Sequence, residues 1–178
     1  MKKSISILGS TGSIGLSTFK IINNNKNNFN IYLLSANKNY KLICKQITSY
    51  QPKFFVVTDQ ITYKKLKIKF KKKKTTILNN FESIKFQKKT DILISAIPGI
   101  AGLKPLILMI KRSKKILIAN KESIIWGWNL IKDQALKSKT KIVPIDSEHF
   151  AILKLLENHK LNEIKKIYIT ASGGPFLN

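Results

Sequence analysis

The sequence is poor in several features whose absence narrows the possibilities. Its one cysteine, Cys44, excludes an intramolecular disulfide framework and fits a reducing compartment. No apolar run approaches the roughly 20 residues that a membrane helix needs. The start, Met1-Lys2-Lys3 followed by SISILG, has the charge of a secretory signal peptide, but its apolar stretch is short and a glycine-rich turn follows it. We therefore expect a soluble, cytoplasmic protein without a membrane partner.

Acidic residues and arginine are also scarce. Nine Asp and Glu stand against 33 Lys and Arg, for a formal net charge of +24, and Arg112 is the only arginine. The guanidinium fork with which proteins usually contact bases and phosphates is therefore nearly absent. Lys, Asn and Ile can all be encoded by A/T-rich codons, so we interpret the lysines, including the run 71–74, as solvated surface and expect no specific nucleic-acid partner. A basic nucleic-acid-binding protein is the alternative, and it predicts binding with a steep salt dependence.

Aliphatic and β-branched residues are abundant, in short runs that alternate with longer mixed segments. The runs predict strands at 4–8, 31–35, 53–57, 91–95, 115–119, 141–145 and 165–172. The segments between them predict helices at 13–24, 40–50, 60–70, 103–112, 123–138 and 147–158. Repeated strand–helix units of this kind indicate an α/β fold, a Rossmann-like doubly wound parallel sheet with right-handed crossovers.

The stretch ILGSTGSIG at 7–15 is typical of a dinucleotide-binding turn. The first strand ends at Gly9, and Gly12 and Gly15 follow at three-residue spacing before a helix. Gly9 permits a tight turn, Gly12 lets a pyrophosphate approach the backbone, and Gly15 lets the helix pack closely. Ser10, Thr11 and Ser13 add hydroxyl donors, and the helix N-terminus adds N–H groups. The alternative is a purely structural turn.

The segment SANKN at 35–39 bears on which dinucleotide is bound. NAD-binding folds usually place an acid here to hold the ribose 2′-hydroxyl. This sequence has no acid at that place and has Lys38 between two asparagines. A cation suits a 2′-phosphate, so the segment favours NADP(H). Lys38 could also be one more lysine among many.

Two further predicted strand ends, and one pair of acids later in the chain, are candidates for ligand contact. The strand 91–95 runs into the small-residue turn AIPGIAG, and the strand 115–119 runs into Asn120-Lys121-Glu122. In a doubly wound sheet these strand ends border the ligand crevice, although Asn120 and Glu122 also suit a helix start. In PIDSEHFA at 144–151, Asp146 and Glu148 flank Ser147. These acids could hold a divalent cation, or Asp146 or Ser147 could merely cap the helix that follows.

Five segments occur in one order along the chain: ILGSTGSIG, SAIPGIAGL, IANKES, PIDSEHFAI and ITASGGPF. Each is weak alone, but the ordered set, over residues 4–176, resembles the 1-deoxy-D-xylulose 5-phosphate reductoisomerase family. The resemblance implies an NADP-dependent oxidoreductase that uses NADPH and a divalent cation, Mn²⁺, Mg²⁺ or Co²⁺. It implies conversion of the sugar phosphate 1-deoxy-D-xylulose 5-phosphate to 2-C-methyl-D-erythritol 4-phosphate, in the non-mevalonate isoprenoid pathway, by a homodimer. Another NADP-dependent oxidoreductase of the same fold is the alternative, which the last two segments argue against.

The resemblance also implies roles for individual residues. Cofactor contacts fall on Thr11, Gly12, Ser13, Ile14, Asn37, Lys38, Asn39, Asn120 and Glu122. Catalysis falls on Lys121, Asp146 and Glu148, the cation on Asp146 and Glu148, and substrate contacts on Lys121, Ser147, Glu148 and Ser172. The resemblance gives His149 no ligand role. Asn37 and Ala171 stand where relatives usually have glycine, and we expect Asn37 to tolerate a left-handed backbone.

The family pattern continues beyond SGGPF, with a mobile lid, a third metal carboxylate and a helical C-terminal domain. We therefore expect an N-terminal portion of such an enzyme that is inactive alone. Its expected organisation is an NADPH-binding Rossmann-like domain at 1–144 and the beginning of a truncated α/β catalytic domain at 145–178.

Overall fold

The computed structural model describes residues 1–169, whose strands form a single sheet in which every pairing is parallel. The strands of this described part are β1 (Lys3–Leu8), β2 (Phe29–Ala36), β3 (Phe54–Val57), β4 (Thr76–Leu78), β5 (Thr90–Ser95), β6 (Ser113–Ile118) and β7 (Lys141–Pro144). Their order across the sheet is β4-β3-β2-β1-β5-β6-β7. The chain thus winds outward in one direction from β1 and in the other from β5. The predicted doubly wound parallel sheet is confirmed, with its switch point between β1 and β5.

The helices connect successive strands. They are α1 (Ser13–Asn24), α2 (Tyr40–Tyr50), α3 (Gln60–Lys69), α4 (Leu103–Ile110), α5 (Lys121–Ser138) and α6 (Ser147–Leu156), with 3₁₀ turns at Lys26–Asn28, Ile100–Gly102 and Leu161–Glu163. All six α-helices were predicted, and each observed end lies within two residues of the prediction. None of the described helices is long and apolar enough to cross a membrane.

Two apolar clusters cover the two faces of the sheet. One packs α1, α2 and α3 against the strands and includes Phe19, Phe55 and Leu66. The other packs α4 and α5 against the opposite face and includes Leu93 and Leu106. Both faces of the central strands are therefore buried, and the polar side chains that alternate with isoleucine on β1, Ser4 and Ser6, are small and buried as well.

Two strand predictions differ from the structure. β4 was not predicted, because it has only three residues and follows a lysine-rich stretch at the edge of the sheet. The predicted strand 165–172 is wrong over 165–169, which lie in neither helix nor strand, and its remainder lies outside the described residues. A strand is held by hydrogen bonds to a neighbour, and within residues 1–169 no strand pairs with this segment.

Candidate cofactor and metal site

A cleft of about 640 Å³ lies at the carboxyl ends of β1, β5, β6 and β7. Each strand is followed by one of the segments singled out in the sequence, and the sheet brings their ends together. The lining consists of Gly12, Ser13, Ile14, Ala96, Ile97, Pro98, Ala119, Asn120, Lys121, Glu122, Ile145, Asp146, Ser147 and Glu148. The predicted nucleotide turn and the predicted metal ligands therefore border one cleft.

A second cleft, of about 570 Å³, continues from the first across the ends of β1, β2 and β3. The two share Gly12 and the turn 96–98. The second is more apolar, and its lining consists of Gly9, Thr11, Gly12, Ser35, Ala36, Asn37, Thr58, Phe81, Ala96, Ile97, Pro98, Ala101 and Pro105. Together the clefts form a groove across the switch point, which suits an elongated ligand such as a dinucleotide.

The three glycines of the turn have different physical roles. Gly9 has φ +81°, and a Cβ there would lie 2.5 Å from the carbonyl oxygen of Ala96. A Cβ at Gly15 would lie 2.5 Å from the carbonyl oxygen of Gly9, so these two glycines are required by the packing of the protein itself. Gly12 is exposed, and a Cβ there would lie 3.5 Å from the carbonyl oxygen of Gly9, an ordinary van der Waals contact. The missing side chain at Gly12 instead leaves room on the side of the groove.

The first turn of α1 is available to an anion. Gly12 precedes the helix without a side-chain cap, and no acidic residue lies in the first turn. The N–H groups and the positive end of the helix dipole therefore border the cleft without a carboxylate in that turn to neutralise them. Thr11 is half-buried and Ser13 is exposed, so both hydroxyls are accessible.

Ser10 does not act as the sequence suggested. It is fully buried, and its hydroxyl donates a hydrogen bond of 2.7 Å to Oε1 of Gln46 on α2. The prediction that Ser10 adds a hydroxyl donor for the ligand is therefore wrong, because that hydroxyl faces the interior of the protein. Gln46 was not singled out, since a lone glutamine on a helix carries no motif.

The turn after β2 carries the residues expected to contact a 2′-phosphate. Lys38 is exposed, and Asn39 caps α2 by accepting the N–H of Leu42 at 3.2 Å. Asn37 lines the second cleft without a positive φ, so the expected left-handed backbone at this residue is not found. Asp59, at the end of β3, comes close to Lys38. Hydrogen bonds from Thr62 lower the pKa of the Asp59 carboxyl, and the charge of Lys38 lowers it further.

Asn120 joins two walls of the first cleft. Its Nδ2 donates to the carbonyl oxygens of Ile97 and Gly99, the latter at 2.9 Å, and its Oδ1 accepts the N–H of Ser123 at 2.9 Å. The side chain thus caps α5, as the sequence allowed, and also holds the turn that follows β5. Lys121 is exposed and Glu122 is half-buried, and both border the same cleft.

Asp146 combines a structural role with an unused oxygen. Its Oδ1 caps α6 by accepting the backbone N–H of His149 at 3.0 Å, and it also contacts Nδ1 of the His149 ring at 2.7 Å. The side chain is only 10% exposed, and Oδ2 is buried without a hydrogen-bond partner among the described residues. Both readings of the sequence, cap and cation ligand, are therefore compatible with this carboxylate.

Glu148 borders the cleft together with Asp146. Ser147 donates from its hydroxyl to Oε2 of Glu148 at 2.8 Å, which orients this second carboxylate. Within residues 1–169, no group of three His, Cys, Asp or Glu side chains is arranged to hold a metal ion. This part of the chain therefore offers a cation two carboxylates and no third protein ligand of these types.

The structure brings most of the predicted site residues to the groove. The first cleft is lined by Gly12, Ser13, Ile14, Asn120, Lys121, Glu122, Asp146, Ser147 and Glu148, and the second by Thr11, Gly12 and Asn37. Lys38 and Asn39 line neither cleft and belong to the turn beside the second one. Ser172 lies outside the described residues.

Known proteins share both the sequence and the fold. A profile of the 1-deoxy-D-xylulose 5-phosphate reductoisomerase family matches residues 5–127, and a profile of the C-terminal domain of that reductoisomerase matches residues 142–178. A curated 1-deoxy-D-xylulose 5-phosphate reductoisomerase from Pelagibacter ubique is 51% identical over 180 residues, which cover 99% of this chain and 46% of the relative. The chain thus spans about half the length of the curated relatives that it matches.

Two solved structures resemble the chain. One is the 1-deoxy-D-xylulose 5-phosphate reductoisomerase from Zymomonas mobilis in complex with NADPH, with 29% identity and a TM-score of 0.76 over 84% of this chain and 40% of the other. The second is a DOX-P reductoisomerase in complex with NADPH, fosmidomycin and magnesium, with 33% identity and a TM-score of 0.79 over 85% of this chain and 38% of the other.

Proposed function

Because the chain belongs to the 1-deoxy-D-xylulose 5-phosphate reductoisomerase family, we propose that it supplies the cofactor site and part of the metal site of such an enzyme. The reaction would convert 1-deoxy-D-xylulose 5-phosphate to 2-C-methyl-D-erythritol 4-phosphate with oxidation of NADPH, a step of the non-mevalonate isoprenoid pathway. One observation carries the proposal: the nucleotide-binding turn and a buried carboxylate oxygen that has no partner among the described residues border the same cleft.

NADPH would lie along the groove, with its 2′-phosphate at the turn beside the second cleft. The phosphates would bind at Thr11, Gly12, Ser13 and Ile14, where the first turn of α1 offers N–H groups. Lys38, with Asn37 and Asn39 beside it, would contact the 2′-phosphate at one end. At the other end Asn120 and Glu122 border the region where the nicotinamide would lie, and the relatives solved with NADPH support this assignment.

A divalent cation fits Asp146 and Glu148. Carboxylate oxygens are the ligands that hard cations prefer, and Oδ2 of Asp146 is buried with no other partner in the described chain. Bound there, a cation would supply Lewis-acid polarisation of the substrate oxygens during rearrangement of the carbon skeleton. Ser147 orients the carboxylate of Glu148, and the bond from His149 orients that of Asp146.

The sugar-phosphate substrate would occupy the part of the first cleft nearest the two acids. Lys121, at the start of α5, would place its ammonium group against the substrate oxygens, and Ser147 would contact the substrate directly. Ser172 would bind the substrate phosphate, an assignment that rests on the family resemblance. In this arrangement Lys121, Asp146 and Glu148 are the catalytic residues of the chain.

We further propose residues 1–144 as the NADPH-binding domain and residues 145–178 as the beginning of the catalytic domain. The enzyme would act in the cytoplasm as a homodimer and would have no specific nucleic-acid partner. Since the chain covers 46% of its curated relative, more than half of that relative has no counterpart in these 178 residues. We therefore expect the chain to bind NADPH and to lack turnover.

The experiment that tests the proposal separates binding from catalysis. The purified 178-residue chain is titrated with NADPH by fluorescence, and NADPH oxidation is followed with 1-deoxy-D-xylulose 5-phosphate and Mn²⁺. We expect saturable NADPH binding that needs no metal, and no oxidation. Absence of NADPH binding would refute the cofactor site, and metal-dependent oxidation by this chain would refute its assignment as a part of the catalytic unit.

A further inference from the structure

Gln46 forms two hydrogen bonds with a single residue of the nucleotide-binding turn. Its Nε2 donates to the carbonyl oxygen of Ser10 at 2.8 Å, and its Oε1 accepts the hydroxyl of Ser10 at 2.7 Å. The two residues are 36 positions apart in sequence, and both are buried, with 2% and 0% of their surface exposed. The carboxamide of Gln46 thus forms hydrogen bonds with both the backbone and the side chain of Ser10.

The position of Gln46 argues for a specific role. It lies on the buried face of α2 beside Ile47, where an aliphatic side chain would fill space without a polar group to satisfy. A buried amide is tolerated only when its groups are hydrogen-bonded, and here donor and acceptor are both used by Ser10. The hydrogen bonds between Gln46 and Ser10 therefore fix the position of the turn more specifically than contacts between apolar side chains would.

Ser35, at the end of β2, holds the same turn from the other side. Its hydroxyl accepts the N–H of Gly9 at 3.1 Å, and its carbonyl oxygen accepts the N–H of Ser10 at 2.8 Å. The N–H, carbonyl and hydroxyl groups of Ser10 are therefore all engaged by the protein. The next residues, Thr11 and Gly12, are left to line the groove.

We propose that Gln46 is a positioning residue for the cofactor phosphates. It acts through Ser10, which precedes the ligand-facing residues of the turn. We call the hydrogen bonds of Ser35 and Gln46 to residues 9 and 10 the clamp. Because Ser35 precedes residues 37–39 in sequence and Gln46 follows them, the clamp also fixes the pyrophosphate turn relative to the 2′-phosphate turn. This inference rests on the proposed NADPH site and assigns one determinant of its affinity.

The variant Gln46→Glu tests the clamp through protonation. A protonated carboxyl group can donate to the carbonyl oxygen of Ser10 and accept its hydroxyl, as the amide does. An ionised carboxylate cannot donate and would repel that carbonyl oxygen. Burial disfavours the ionised form, so the pKa of the introduced carboxyl should lie above the ordinary value for Glu. The variant should therefore bind NADPH normally at low pH and weakly at high pH.

Few groups near Gln46 titrate in the pH range of this test, so a pH-dependent change in NADPH affinity can be assigned to the introduced carboxyl group. Residues 1–58 contain no Asp, Glu or His, so β1, the turn, α1, β2 and α2 bring no group of these types that titrates between about pH 5 and 8. The titratable side chains on these elements are Lys3 on β1, Lys20 on α1, Tyr32 on β2 and Tyr40, Lys41, Cys44, Lys45 and Tyr50 on α2. The matched control is Gln60→Glu, the same chemical change at the exposed start of α3.

The experiment titrates each chain with NADPH between about pH 5.5 and 8.5 and compares the Kd of each variant with that of the wild type at the same pH. We expect Gln46→Glu to bind within about twofold of the wild type at the acidic end and about tenfold more weakly at the alkaline end, while Gln60→Glu follows the wild type throughout. A Gln46→Glu chain that follows the wild type at every pH overturns the proposal.

Gln46→Met covers the case in which the carboxylate prevents folding. Met fills a similar volume without either hydrogen bond, and we expect about tenfold weaker NADPH binding at every pH with a folded chain by circular dichroism. Wild-type affinity in this variant overturns the proposal. A wild-type chain that binds no NADPH overturns the proposed cofactor site itself, and this is seen before any variant is compared.

Discussion

His149 bonds to Asp146 at one carboxylate oxygen only. Oδ1 accepts the backbone N–H of His149 at 3.0 Å and contacts its ring Nδ1 at 2.7 Å, whereas Oδ2 has no hydrogen-bond partner among the described residues. A carboxylate can only accept, so this side-chain contact is a hydrogen bond in the tautomer whose Nδ1 carries the proton. The helix cap and the proposed cation ligand are thus separate oxygens of one side chain.

Asp146→Asn should separate these two roles. The amide oxygen can still accept the N–H of His149, so we expect the free energy of unfolding to stay within about 1 kcal/mol of the wild type. The charge and the second carboxylate oxygen are lost, so Mn²⁺ affinity should fall by about tenfold or more. Water-proton relaxation in Mn²⁺ titrations measures the second effect, and urea unfolding measures the first.

Asp59→Asn is the matched control for this variant. Asp59 caps α3 in the same manner, by accepting the N–H of Thr62 at 2.8 Å, and it does not line the first cleft. Mn²⁺ affinity should be unchanged in this chain. An equal loss in both variants would mean that the effect is one of general charge and that Asp146 is not a ligand.

Lys38 should determine the preference for NADPH over NADH. It is exposed beside the second cleft, and no carboxylate precedes Asp59 in the sequence to hold a ribose 2′-hydroxyl. We expect Lys38→Ala to weaken NADPH binding about tenfold and NADH binding much less, because only NADPH carries the 2′-phosphate. Fluorescence titration with both cofactors measures this, with Lys20→Ala on α1 as the control. Equal wild-type affinity for the two cofactors would contradict the prediction.

Two alanine substitutions should distinguish the glycines of the turn. In Gly15→Ala the new Cβ would meet the carbonyl oxygen of Gly9 at 2.5 Å, so we expect a loss of about 2 kcal/mol in the free energy of unfolding. In Gly12→Ala the new Cβ would lie 3.5 Å from the carbonyl oxygen of Gly9, and φ is −81°, so the fold should be retained. NADPH affinity should nevertheless fall about tenfold, because the methyl group occupies the phosphate side of the groove.

Thermal unfolding and NADPH titration of the two variants decide the point. A Gly12→Ala chain with wild-type NADPH affinity would mean that the phosphates bind elsewhere. A Gly15→Ala chain with wild-type stability would mean that the close approach of α1 to the turn is not required.

Asp91 should contribute stability that depends on pH. Its carboxylate accepts Lys114 Nζ at 2.7 Å and both the N–H and the hydroxyl of Ser4 at 2.8 Å, joining β5 to the beginning of β1. The bond from Lys114 and then those from Ser4 lower the pKa of this carboxyl well below its ordinary range. A lowered folded-state pKa means that the contribution is complete above the unfolded-state value of about 3.9 and is lost as the pH falls below it.

Asp91→Asn should therefore cost about 1 kcal/mol at neutral pH, a modest value because Lys114 is largely exposed and solvent screens its charge. The difference from the wild type should shrink as the pH falls below about 4. Urea unfolding at neutral pH and again below about pH 4 measures this difference in the free energy of unfolding. Asp133→Asn, on the exposed side of α5, is the control. A deficit that stays constant with pH would show that the charge of Asp91 does not stabilise the fold.

The parts of the structure that could be predicted are those that depend on short, continuous stretches of sequence. Apolar runs predicted the strands of the buried sheet, and the strand-end rule placed Gly12 and Asn120 at one crevice. β4 was not predicted because three residues after a run of lysines are too few to show the hydrophobic pattern of a strand. The hydrogen bonds of Gln46 to Ser10 were not predicted for another reason. A side-chain contact between residues 36 positions apart leaves no periodic pattern or motif in the sequence.

The central position of β1 has a consequence for synthesis of the chain. β1 leaves the ribosome first and can pair with β2 early, but its other edge must wait for β5, since Asp91 follows Ser4 by 87 residues. Until then the strand that carries Ile5 and Ile7 has one open edge and uncovered apolar side chains. We therefore expect a nascent chain halted between β2 and β5 to aggregate more readily than the folded protein.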